Sequence, residues 1–176
     1  MTPRLYWIKG PWPGKLAISA RPRGGDWLED EVSAWREAGV DAILSLVTPQ
    51  ENRDLQLEAE LSFAQSGGVR FLSLPVEDRG VPSSWDDVSR TIEKVGEMLR
   101  QGRNVAVHCR QGIGRSSMIA AALLIKEGSA PDQALKLISE VRGVPVPETP
   151  EQLEWVRKFS EREAPATRRL TRASVK

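Results

Sequence analysis

Two short apolar runs, Leu5–Ile8 and Leu16–Ser19, flank a Pro/Gly turn at Pro11–Gly14. That pattern predicts two strands. The apolar spacing then lengthens: Leu28, Val32 and Trp35 recur at helical intervals, Asp26 and Glu29 stand at capping-box spacing, and Gly39 follows. These predict a helix that starts at Asp26 and ends at Gly39. Asp41–Val47 is a continuous apolar run of strand length, the mark of a strand buried on both faces. Thr48-Pro49-Gln50-Glu51 supplies an N-cap, a proline at the first helical position and a residue able to close a capping box. A helix is expected from there to about Ser66, before Gly67-Gly68, and a strand over Val69–Leu74.

Ser83 or Ser84 opens a further helix, with Trp85, Val88, Ile92, Val95 and Leu99 on one face and Gly102 at its end. Asn104–His108 predicts a short strand. Gly114–Glu127 is apolar almost all round, as expected of a central helix. Ser129 is the expected cap of a helix with Ala134, Leu135, Ile138 and Val141 in its core stripe. Thr149-Pro150-Glu151-Gln152 repeats the capping-box pattern and opens a last helix through Trp155 and Phe159. Strands alternating with helices predict a single α/β domain with a central, mostly parallel (mixed) sheet flanked by helices. The expected domain covers residues 1–164. Residues 165–176 carry four basic side chains, no acids and little apolar content, and are expected to form a disordered tail.

Composition narrows the function only by exclusion. The formal net charge of +1 exerts no global pull toward nucleic acid or a membrane. One cysteine permits no internal disulfide and no cysteine pair for zinc. It fits a reducing, cytoplasmic setting. The N-terminal stretch has three prolines and no continuous apolar run, unlike a signal peptide, and Met118–Ile125 is too short to span a bilayer.

The chemistry concentrates in VAVHCRQGIGRSS, Val105–Ser117, which holds the chain's one histidine and one cysteine. The predicted elements make this a strand, a glycine-containing loop and a helix N-terminus. Unpaired backbone N–H groups and the positive helix end at such a junction bind an anion. Gly112 and Gly114 let the loop of Arg110, Gln111, Gly112, Ile113 and Gly114 curl with its N–H groups inward. A free cysteine titrates near ~8.5, and a helix N-terminus and an arginine lower that value, so Cys109 is expected to be a thiolate nucleophile. Arg115 presents a planar fork to two phosphate oxygens. Ser116 can hydrogen-bond the sulfur and ease its departure. His108 is expected to orient the loop rather than to take a proton.

Residues 108–116 read H-C-x-x-G-x-x-R-S, which resembles the signature of the cysteine-dependent protein phosphatases. The likeness covers most of residues 15–160 and is nearest the small dual-specificity branch, including bacterial members. The five residues between Cys109 and Arg115 match the phosphate-sized loop, whereas the rhodanese loop is usually one shorter. The resemblance implies a general acid on an opposing loop. LPVEDRGVPSS, Leu74–Ser84, resembles that loop, with Asp78 as the acid and Glu77 as the alternative. Asp86 and Asp87 read as first-turn helix residues. Glu148-Thr149-Pro150-Glu151-Gln152 is similar to the Gln-Thr-x-x-Gln water-positioning segment of tyrosine-specific members, but Glu148 departs from it and Gln152 equally completes a capping box. Arg21 and Arg23 either line the substrate entrance or form a solvated basic turn.

The resemblance implies a metal-independent phosphomonoester hydrolase, without cofactor, that works through a cysteinyl-phosphate. Its expected partner is a phosphorylated protein or peptide, phosphotyrosyl or dual-specificity, with no nucleic-acid partner and no membrane insertion. The competing readings are the same chemistry on a phosphoinositide or an RNA 5′ end, and a silent phosphate-binding module. Both Cys109 and Arg115 are present, which disfavours the last.

Overall fold

The computed structural model describes residues 4–164. The expected C-terminal tail lies outside the described residues. Strands β1 (Tyr6–Ile8) and β2 (Leu16–Ala20) come first, followed by a 3-10 turn over Gly25–Trp27 and helix α1 (Leu28–Glu37). Next come β3 (Ala42–Ser45), α2 (Pro49–Asp54), α3 (Glu60–Ser66), β4 (Arg70–Ser73) and α4 (Trp85–Arg100). The chain continues through β5 (Val105–Cys109), α5 (Arg115–Lys126), α6 (Pro131–Arg142) and α7 (Pro150–Glu163). No helix among the described residues is long and apolar enough to cross a membrane.

The five strands form one mixed sheet in the order β1-β2-β5-β3-β4. β1 is an antiparallel edge strand and the other pairings are parallel. The expected architecture therefore holds. β5 lies mid-sheet with every residue buried, and it splits its side chains between two cores. Val105, Val107 and Cys109 join the larger core with α4, α5, α6 and α7, while Ala106 joins the smaller one with α1 and α3. Helix α5 is buried along nearly its whole length, which is why its sequence is apolar all round. This places the loop after β5 at the carboxyl edge of a parallel sheet, where α/β proteins bind ligands.

Three local expectations fail, each for a physical reason. Asp26 does not cap α1. It lies within the 3-10 turn, and the residue before α1, Trp27, makes no side-chain cap bond. Ser129 does not cap α6. Ala130 takes that position, and Pro131 starts the helix with a preset φ and no amide to satisfy. The helix expected from Thr48 to Ser66 is two helices. Gln56 turns left-handed at φ 56, Leu57 N–H returns to Asn52 O, and Gln56 O accepts the Gly25 amide at 2.9 Å. A Cβ on Gly24 would stand 1.8 Å from Leu55 O, so the break and the glycine turn are fitted to each other. The break also frees α3 to carry Glu60 beneath the sheet.

Candidate active site

Strand β5 ends at Cys109 and α5 begins at Arg115, so Arg110–Gly114 close a loop between two buried elements. Cys109 Sγ accepts the Gly112 N–H at 3.2 Å and lies 3.5 Å from Ser116 Oγ. Cys109 Sγ thus has the neighbours the sequence led one to expect, Ser116 among them. The two glycines serve different ends. Gly112 is left-handed at φ 66, and a Cβ there would strike the backbone of Ser19 and Ala20 in β2. Gly114 has an ordinary φ of −82, and its requirement is space. A Cβ would fall 2.8 Å from Gln152 Oε1 and 3.0 Å from Glu148 Oε2.

Arg115 is 2% exposed and joins three parts of the chain. Nη1 donates to Glu51 Oε2 at 2.7 Å and to Val76 O at 2.8 Å. Nη2 donates to Glu51 Oε1 at 2.9 Å and to Asp78 Oδ1 at 2.9 Å. Asp78 and the alternative Glu77 are both exposed, and it is Asp78 that the bond to Arg115 brings to the site. Burial works against the charged arginine, yet the hydrogen bond and charge of Glu51 and the electrostatic interactions with Cys109 and Asp78 raise its pKa.

Glu51 is the functional residue that sequence reasoning missed. It closes the capping box on Thr48, as its spacing predicted, with Thr48 N–H donating to Oε2 at 2.9 Å. The same carboxylate takes both terminal nitrogens of Arg115. Burial opposes its ionisation, but the Arg115 bonds, the Thr48 amide and the charges of Arg115 and Arg110 prevail and hold it below the usual carboxylate value. Only the Thr-Pro-x-Glu cap was visible in the sequence, and a cap alone does not show which arginine lies above it.

His108 departs from its expected role. Alternation along β5 turns its ring away from Cys109 to the opposite face, edge-on to Trp35 with ring centroids 5.7 Å apart. Nε2 stands 3.0 Å from Glu60 Oε1, both side chains all but inaccessible to solvent. The angle leaves both atoms short of a well-directed hydrogen bond. His108 is therefore half of a buried acid–imidazole pair on the face of β5 opposite Cys109.

The acid loop is tied to the start of α7. Arg79, left-handed at φ 60, forms an ion pair with Glu148 at 2.7 Å, and its carbonyl accepts Thr149 Oγ1–H at 3.4 Å. Gln152 is fully buried. Its Oε1 accepts the amides of Glu148 and Thr149, completing the capping box, and its Nε2 donates to Gly80 O at 3.0 Å. Glu148, the departure from the glutamine pattern, is thus the partner of an acid-loop arginine. Arg23 pairs with Glu31 and covers Trp27, and Arg21 Nη1 bonds Pro22 O. Both partners lie close along the chain.

Comparison with known proteins agrees with this geometry. The rat cyclin-dependent kinase inhibitor 3 (Rattus norvegicus) is 25% identical over 140 residues, 77% of this chain and 64% of the relative, so the chain spans about two thirds of that protein's length. A crystal structure of kinase-associated phosphatase, with its catalytic cysteine replaced by serine, superposes with a TM-score of 0.85 at 20% identity. That likeness covers 93% of this chain and 97% of the other. The active form of Tk-PTP matches with a TM-score of 0.75 at 28% identity, covering 92% of this chain and 99% of that one. Residues 19–129 match the family described as "Polymorphic toxin system, DSP-PTPase phosphatase". That match spans more than half of the chain, from the end of β2 through the phosphate loop and α5, and the chain belongs to this family of DSP-PTPase phosphatases.

Proposed function

We propose that this chain is a phosphomonoester hydrolase acting on phosphorylated proteins, with dual specificity, through a cysteinyl-phosphate intermediate. The observation that carries the reading is the meeting of Asp78 and Arg115 at 2.9 Å, beside a cysteine held by Gly112 and Ser116. The Cys109 thiolate attacks phosphorus and the bond to the leaving oxygen breaks. Arg115 and the loop amides hold the equatorial oxygens as charge develops. An oxyanion at Arg115 competes with Asp78 for Nη2; Asp78, released from the ion pair, takes up a proton from solvent and passes it to the leaving oxygen. Water then attacks the phosphocysteine, Asp78 now takes its proton, the S–P bond breaks, and phosphate and thiolate are restored.

Residues 1–164 form the catalytic unit in this proposal, and a free nucleophilic thiolate suits a reducing cytoplasm. Ser116 supports the departing sulfur, and Gln152 holds the acid loop to α7. The test is a turnover panel of phosphotyrosyl peptides, phosphoseryl/threonyl peptides and phosphoinositides, with acid-quenched mass spectrometry of the wild-type enzyme during turnover of an aryl phosphate to find a phosphoryl group on Cys109. Turnover of both peptide classes and a phosphorylated Cys109 are expected. Turnover confined to the lipids would overturn the substrate class, and a quenched enzyme without phosphocysteine would overturn the mechanism.

A further inference from the structure

The outer side of the phosphate loop is held by a residue far away in sequence. Arg142, the last residue of α6, donates from Nε to Gly112 O at 2.8 Å and from Nη2 to Gln111 O at 3.1 Å. Its guanidinium lies over the Tyr6 ring, 4.2 Å from the centroid, and Nη1 donates to the Tyr6 hydroxyl at 3.1 Å. Gly143 follows in the left-handed conformation and ends the helix there, so α6 delivers the side chain at its terminus.

A trans peptide unit directs its C=O and its N–H to opposite sides. Holding the Gln111 carbonyl outward therefore aims the Gly112 N–H inward, and that N–H is the one found on Cys109 Sγ. Holding the Gly112 carbonyl does the same for the Ile113 N–H. A cation on a peptide oxygen also polarises the unit and strengthens its N–H as a donor. We infer that Arg142 is a positioning residue of the phosphate loop, which fixes two consecutive peptide units with their amides toward the phosphate and is itself seated on Tyr6 of the N-terminal strand. This rests on Cys109 being the nucleophile.

The other charged and titratable groups around the loop are held constant in the test: Arg115, whose charge couples to Cys109, with its partners Glu51 and Asp78, Arg110 within the loop, and the His108–Glu60 pair on the other face of β5. The experiment compares wild type with Arg142→Gln, Arg142→Lys and Tyr6→Phe. It measures competitive inhibition by inorganic phosphate and orthovanadate, the pH profile of Cys109 alkylation by iodoacetamide, and thermal stability. Arg142→Gln is expected to weaken inhibition by about ten-fold, the scale of a lost charge-assisted hydrogen bond, and to move the alkylation profile to higher pH. Arg142→Lys, which reaches one carbonyl, should recover part of both, and Tyr6→Phe should give a smaller effect in the same direction. Inhibition and alkylation profiles unchanged in Arg142→Gln, with stability lowered, would overturn the inference and leave Arg142 a fold residue. If Arg142→Gln does not fold, wild-type behaviour of Arg142→Lys together with Tyr6→Phe would overturn it. Undiminished turnover by Cys109→Ser would instead refute the nucleophile reading itself.

Discussion

The phosphate loop and the acid loop meet at Arg115, but they are held there by different means. The phosphate loop is short, lies between two buried elements and is gripped from outside by Arg142 and the backbone of β2. The proposed acid loop carries an Asp78 side chain that is 47% exposed, and it is tied down by two bonds from Arg115, to Val76 O and Asp78, and by single contacts to Glu148, Thr149 and Gln152. The first arrangement suits a site that must present preorganised donors to every phosphate. The second suits an acid that must exchange its arginine contact for the leaving group. In the proposed mechanism, rigidity follows the division of labour between binding and proton transfer.

The strongest test of that division removes the nucleophile. Cys109→Ser should abolish turnover of an aryl phosphate while leaving the melting temperature close to wild type. Activity above a tenth of wild type would remove the phosphate loop from the chemistry. Asp78→Asn comes next, with turnover lowered about 10²-fold and the alkaline limb of the rate profile flattened. An unchanged profile would move proton transfer to another group and erase the contrast between the loops.

Glu51→Gln probes the joint between the two regions. It keeps the shape of the side chain but removes the charge that Arg115 grips, and kcat/KM should fall about ten-fold. Because Glu51 titrates below its ordinary value when folded, its contribution to stability is fully present above that ordinary value. It is lost as pH falls through the folded value. The melting-temperature gap between wild type and Glu51→Gln should therefore be widest near neutrality, at a cost of about 2 kcal/mol, and close as pH falls below the ordinary carboxylate value and through the folded one. A gap independent of pH would mean that the pair is not ionic.

Thr149→Ala should have the smallest effect. It removes the α7 cap and the bond to Arg79 O, costing about 1 kcal/mol. Turnover should fall a few-fold with KM for the substrate little changed, because the acid loop loosens while the phosphate loop does not. A change confined to KM would reverse the assignment of the two loops.

What was legible in the sequence follows from distance along the chain. Cys109, Gly112, Arg115 and Ser116 sit on one strand–loop–helix, so their spacing already encodes their geometry. The Thr48 and Thr149 capping boxes were legible for the same reason, since a cap joins residues three apart. Asp78 needed the resemblance as well, because a loop aspartate has no local pattern that separates an acid from a solvated charge. The break at Gln56 was hidden, since it depends on a turn at Gly24 and Gly25 far upstream.

The sequence by itself determined the α/β alternation, the buried central strand and helix, and the strand–loop–helix that carries Cys109 and Arg115. Periodicity and short-range spacing are properties of the local backbone. Only the tertiary structure decided that Glu51 holds Arg115, that Arg142 braces the loop from α6, and that His108 turns to the far face to meet Glu60. Those contacts join elements far apart along the chain. The partner of each side chain is set by strand order and helix placement, which no local pattern of residues specifies.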